Sequence, residues 1–133
     1  MSNFQAVYYR DAKGVEPVAV FVQRLPLKTR VALRNQIGRL NLLSDEQPYL
    51  PFPHSSQVEG ELRELRCHYG REQYRLLYAR SERLLVLLHA FSKRSAELPE
   101  GEVAVALERW SDFKRRMNAD PRPQPRAAGH DAP

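Results

Sequence analysis

The residues from which a chemistry can be read are Arg66 and Arg75, which stand on either side of Gly70-Arg71. A two-residue hairpin loop at Gly70-Arg71 sets Tyr69 opposite Glu72, Cys67 opposite Tyr74, Arg66 opposite Arg75 and Leu65 opposite Leu76. Parity then sorts the side chains: Leu65, Cys67, Tyr74, Leu76 and Tyr78 share an apolar face, and Glu64, Arg66, His68 and Arg75 share the other. Like charges facing each other across a strand pair cost up to about 1 kcal/mol, so something must offset them. Two readings are open. One is an anionic ligand, a backbone phosphate held in a vacancy between guanidinium groups; the other is an ion-pair ladder in which Glu64, Glu72 or another acid neutralises the arginines.

Lys93 and Arg94 follow the next strand and bring two further cations to the same face. Arginine pairs with phosphate through a planar fork and stays charged, with a pKa above about 12, so it can stabilise a phosphorane but is a poor base. Cleavage of RNA by its own 2′-hydroxyl needs that hydroxyl held in line, the developing charge stabilised and protons moved, and none of these steps requires a metal. The candidates for proton transfer are His54, His68 and Tyr74, with His89 less suited because it lies inside an apolar strand. Tyr69, Tyr74 and Phe91 are candidates for base stacking, although aromatic strand residues mostly serve the core.

The elements that must position these groups are legible from periodicity. Ala6 to Tyr9 reads as a first strand. A first helix begins near Glu16 with Pro17 in its opening turn, carries Val18, Phe21, Val22 and Leu25 at helical spacing, and stops at Pro26. A second runs from Leu27 to Leu43 with Leu33, Ile37 and Leu40 inward, and Gly38 in it suits close backbone packing. Ser44 to Gly60, with Pro48, Pro51 and Pro53, reads as a long and functional loop. Leu62 to Tyr69, Glu72 to Ala79 and Arg83 to Phe91 form an antiparallel meander, the last strand apolar on both faces and therefore central. Pro99 opens a final helix with acids Glu100 and Glu102 first, Lys114, Arg115 and Arg116 last, and Val103, Ala106, Leu107, Trp110 and Phe113 as its inner stripe. The expected fold class is α+β: a small, mainly antiparallel sheet of about four strands, with two N-terminal helices and one C-terminal helix, in a domain spanning 1–117. Residues 118–133 hold no apolar side chain larger than alanine and read as a disordered Pro-rich tail.

Composition narrows the function. The 133 residues suit one domain with one core, and 21 Lys+Arg against 16 Asp+Glu leave a net +5, mostly arginine, which makes nucleic acid the first partner to consider. Cys67 is the only cysteine, which rules out an internal disulfide. No apolar run approaches a membrane span and Met1 to Arg10 lacks a signal-peptide pattern, so cytoplasmic residence without a membrane partner is the expectation. Walker, dinucleotide-glycine, zinc-spacing and nucleophile-elbow motifs are all missing from the sequence, and no cofactor is assigned.

The motif order Gly60-Glu61-Leu62-Arg63-Glu64-Leu65-Arg66, Tyr74-Arg75-Leu76-Leu77-Tyr78, Leu87-Leu88-His89-Ala90-Phe91-Ser92-Lys93-Arg94, then Pro99 and Glu102-Val103-Ala104-Val105-Ala106 resembles the phage-derived HigB-like branch of the RelE/ParE toxin superfamily. The resemblance covers roughly Val7 to Arg116. It implies a type II toxin that cleaves mRNA on the translating ribosome and is held inactive by a cognate antitoxin, often a helix-turn-helix protein. Carried over by position, Arg66 matches the arginine closing the Glu-Leu-Arg motif, Arg75 that of the Tyr-Arg motif, and Lys93 the first of a usual Lys-Lys pair, from which Arg94 departs. The expected catalytic set is Arg66, Arg75, Lys93 and Tyr74, with Arg94, His68, Arg63 and His54 binding RNA. The alternatives are a non-catalytic nucleic-acid- or partner-binding relative and a gyrase-targeting toxin.

Overall fold

Three two-residue turns organise the sheet. Gly60-Glu61, Gly70-Arg71 and Glu82-Arg83 each begin with a residue at positive φ, namely +55°, +63° and +55°, the left-handed backbone that matches the twist of a tight hairpin. The computed structural model describes residues 3–51, 54–93, 99–118 and 124–129. In it β1 (Gln5–Tyr8), β2 (Ser55–Glu59), β3 (Leu62–Tyr69), β4 (Glu72–Ser81) and β5 (Leu84–Lys93) form one five-stranded sheet in the order β1-β5-β4-β3-β2. Strands β2 to β5 are an antiparallel meander, and β1 adds in parallel to β5, so the sheet is mixed.

The register across β3 and β4 is the one a two-residue loop dictates: Tyr69 faces Glu72, Cys67 faces Tyr74, Arg66 faces Arg75 and Leu65 faces Leu76. Strand β5 is interior, between β1 and β4, as its two apolar faces require. Leu85 and Leu87 point into a core with β1, β3, β4 and the first two helices, and Val86 and Leu88 into a second core with the third helix.

Helix α1 (Pro17–Gln23) and helix α2 (Leu27–Leu40) cover one face through Val18, Ala19, Val22, Leu33, Ile37 and Leu40. Helix α3 (Glu100–Met117) covers the other through Ala106, Trp110 and Phe113, with Trp110 and Phe113 stacked at 5.8 Å. Helices thus lie on both faces, a three-layer arrangement in which each strand must be apolar on both sides wherever a helix lies over it.

Two expectations are corrected. The sheet has five strands, not about four, because Ser55–Glu59 leaves the Pro-rich loop to become edge strand β2. An edge strand with one solvated flank carries Ser, Gln and Glu, which gives it no hydrophobic signature to read. Part of the expected disordered tail is also ordered: the Ala127 backbone bridges Val7 on the outer edge of β1, the Tyr8 amide donates to the Arg126 carbonyl (2.9 Å) and the Ala128 amide to the Ala6 carbonyl (2.8 Å). Gly38 permits this docking by leaving room for Gly129, whose φ is +121° and whose missing Cβ would lie 3.4 Å from the Gly38 Cα. Helix α2 ends at Leu40, short of Leu43, because the Asn41 side chain leaves the helix pattern to accept the Ala6 amide (2.7 Å) and donate to the Ala128 carbonyl (3.0 Å).

Candidate nucleic-acid interface

Register alone places a grid of side chains on the α3 face of the sheet. Across β5, β4 and β3 one row reads Lys93, Gln73, His68; the next reads Phe91, Arg75, Arg66; the third reads His89, Leu77, Glu64 and continues to Ser56 on β2. Three cations from three strands therefore share one face. Arg75 and Lys93 are 7% and 8% exposed and Glu64 4%, so these charges sit largely out of water.

Glu64 decides how they coexist. Its Oε1 accepts from Arg66 Nε (2.9 Å) and Nη2 (2.7 Å), and its Oε2 lies 3.5 Å from Arg75 Nε. Ser56 Oγ accepts from Arg66 Nη2 (3.0 Å) and donates to Glu64 Oε1 (3.3 Å). The Arg75 guanidinium is steadied from its other side by the Tyr74 carbonyl (3.2 Å) and Gln73 Oε1 (3.4 Å). The expectation of a vacancy between guanidinium groups is thus corrected, because a carboxylate already fills it. This is the ion-pair reading left open at the level of sequence, with Glu64 and not Glu72 in the role. Two arginines forced side by side by register can be buried only if an acid bridges them. Among the described residues the cluster still holds three cations against one carboxylate.

Electrostatics follow from that crowding. Burial pushes the Arg75 guanidinium and the Lys93 ammonium below their usual pKa values; Arg66 depresses both further, Arg75 also depresses Lys93, and Glu64 opposes the shift in each. Lys93 is consequently nearer to exchanging a proton under neutral conditions than a solvated lysine would be.

Of the sequence-derived candidates, Arg66, Arg75, Lys93 and His68 come together on this face, His68 exposed at its rim. Tyr74 does not. It is 6% exposed on the opposite face and meets the Phe21 ring edge-on at 6.1 Å, and burial, helped by Glu72, raises the pKa of its hydroxyl. Arg63 also lies on the helical-hairpin face by parity, with its guanidinium 4.1 Å over the Tyr49 ring. His54 lines one pocket with Arg66 and His68, its carbonyl accepting the Arg66 amide (2.8 Å), while its Nδ1 lies 3.2 Å from Arg39 Nη1 on α2. Arg94 lies outside the described residues. Cys67, buried beneath α2, has its thiol pushed up to about 12 by desolvation against the opposing pull of Arg75, which makes it inert as a nucleophile.

Sequence reasoning missed Ser56, hidden in an edge strand, and a polar latch beside the grid. His89 Nε2 lies 3.1 Å from Glu102 Oε1, its Nδ1 3.1 Å from Arg109 Nη1, and Arg109 Nη1 donates to the Leu88 carbonyl (2.8 Å). His89 also stacks on Phe91 at 5.6 Å. Both imidazole nitrogens are therefore engaged in fixing α3 to β5. The bulge between Leu77 and Tyr78, which sets Leu88 and His89 together toward α3, is the local irregularity that permits it.

A family model described as phage-derived protein Gp49-like (DUF891) matches residues 21–111, a span that contains every residue of the three rows. No curated protein matches the chain.

Proposed function

Because this chain belongs to the phage-derived Gp49-like family, we propose that it is the toxin of a type II toxin–antitoxin pair, acting as a metal-independent endoribonuclease on ribosome-bound mRNA. The family is toxin-like and of the RelE kind. The observation that carries the reading further is the sheet face that brings Arg66, Arg75 and Lys93 from three strands together around Glu64. In the proposed reaction the 2′-hydroxyl oxygen bonds to the adjacent phosphorus, the bond to the 5′-oxygen breaks, and the products are a cyclic phosphate and a free 5′-hydroxyl. Arg66, the most accessible guanidinium of the cluster, meets the phosphate, and Arg75 behind it adds to the stabilisation of the phosphorane charge. Lys93, its proton affinity lowered by burial, or His68 at the rim, accounts for the proton removed from one oxygen and returned to the other.

The partners of this reading are the ribosome, its mRNA and a cognate antitoxin, for which a helix-turn-helix protein is the proposed form. Induced expression of the wild type should arrest growth and produce new transcript 5′ ends phased to codons, whereas Arg66→Ala and Arg75→Ala should each relieve the arrest. Full toxicity in both variants would remove the proposal.

The clasp of Glu64 on both arginines supports a second reading, a non-catalytic member that binds RNA or a partner. That protein would bind without leaving any new 5′ ends.

A further inference from the structure

The opposite face of the molecule carries a charge pattern that the reading above does not use. Between Glu16 and Asp45 there is no Asp or Glu, yet the same stretch holds Arg24, Lys28, Arg30, Arg34 and Arg39. Among the described residues none of these five enters an ion pair. Several cations elsewhere sit against carboxylates: Arg66 and Arg75 on Glu64, Arg80 and Arg83 on Asp45, Arg115 and Arg116 on Asp112. The α1–α2 hairpin thus carries its five cations in the longest acid-free stretch of the sequence.

On α2 that field surrounds an apolar pair. Leu27 and Val31 are 66% and 47% exposed and stand four residues apart, hence one above the other on the outer side of the helix. Helical spacing sets Arg34 on one flank of this pair and Lys28 on the other, with Arg24 just ahead of the helix start. Phosphodiester would satisfy the cations but offers nothing to cover two aliphatic side chains. A helix with an apolar stripe edged by carboxylates satisfies both, its stripe lying over Leu27 and Val31 and its acids reaching the flanking cations.

We propose that the outer face of α2, with Leu27 and Val31 between Arg24, Lys28 and Arg34, is a docking surface for an acidic amphipathic helix of a partner protein. This surface lies across the sheet from Arg66 and Arg75, so it stands or falls separately from the reaction proposed above.

The probe is a fluorescent peptide of repeated Glu-Leu-Glu-Glu-Leu-Glu-Ala heptads, about 20 residues long so that it can span several helical turns on binding, titrated against the full chain. Wild type should bind it in a salt-sensitive manner. The double variant Leu27→Ser, Val31→Ser and the triple variant Arg24→Gln, Lys28→Gln, Arg34→Gln should each weaken binding by about tenfold or more, while Arg66→Ala should not alter it. Arg24, Leu27, Lys28 and Val31 are exposed and Arg34 is half-buried, and thermal melts matching wild type would confirm that the variants fold. Absence of peptide binding by wild type, or binding unchanged in the Leu27, Val31 double variant, would overturn the proposal. So would a single-stranded oligouridylate that displaces the peptide and is itself insensitive to the double variant, since the surface would then be one for RNA.

Discussion

At the scale of single residues, Glu64 is the position on which the arginine cluster depends. Replacing it with Gln leaves two guanidinium groups side by side with no opposing charge, and the variant is expected to lose about 2 kcal/mol of stability in thermal or urea denaturation. Unchanged stability would mean that the arginines do not need the bridge. Tyr74→Phe should leave toxicity intact, because that ring faces α1 and not the cations; loss of growth arrest in a folded Tyr74→Phe protein would return the hydroxyl to the chemistry. Cys67 should resist aromatic disulfide reagents in the native state and react only on unfolding. The opposition of Arg66 and Arg75 was readable on the condition that Gly70-Arg71 is a two-residue loop, since a three-residue loop would have removed the pairing. The clasp of Glu64 was readable only as an alternative, since it depends on how far a side chain reaches diagonally across strands.

At the scale of elements, two contacts outside the grid hold the layers together. Tyr9 donates from its hydroxyl to Asp112 Oδ2 (2.7 Å), and Arg115 and Arg116 also grip that carboxylate. Burial alone would raise the Asp112 pKa, but the Tyr9 hydroxyl and the two arginines outweigh it and hold the carboxyl below its ordinary value of 3.8. A depressed carboxyl contributes stability that is complete above the unfolded value and is lost as pH falls through the folded one. Asp112→Asn should therefore be less stable than wild type at neutral pH and should lose less on acidification below 3.8; parallel stability curves would refute the assignment. The docked segment 124–129 is the second contact. Removing residues 119–133 uncovers the outer edge of β1 and deletes the Arg126–Glu16 pair at 2.8 Å, so the truncated chain should be less stable by about 1–3 kcal/mol and self-associate more in light scattering. Sequence periodicity reads helices and central strands well. It is silent on β2 and on segment 124–129, which are held by backbone hydrogen bonds and a glycine contact and have no apolar stripe to announce them.

At the scale of the whole molecule, the net charge of +5 is divided between two faces of one sheet. On the α3 side Glu64 bridges Arg66 and Arg75; on the α1–α2 hairpin Arg24, Lys28, Arg30, Arg34 and Arg39 enter no ion pair among the described residues. Binding of single-stranded RNA through Arg66, Arg75 and Lys93 should fall with salt at a log–log slope of about −2, and Arg66→Ala should reduce its magnitude by about 0.7. A slope that Arg66→Ala leaves untouched would place the contact elsewhere. No helix among the described residues is long and apolar enough to cross a membrane.

What the sequence by itself determined is local: turn residues fix hairpin register, register fixes which side chains share a face, and helical spacing fixes which stripe is buried. These are consequences of bonded geometry a few residues long. The parallel seat of β1 beside β5, the fifth strand, the docking of residues 124–129 through Gly129 and Gly38, and the filling of the space between Arg66 and Arg75 by Glu64 were decided only in three dimensions. Each joins segments or side chains whose partners are chosen by packing and desolvation, and those energies exist only once the layers have closed.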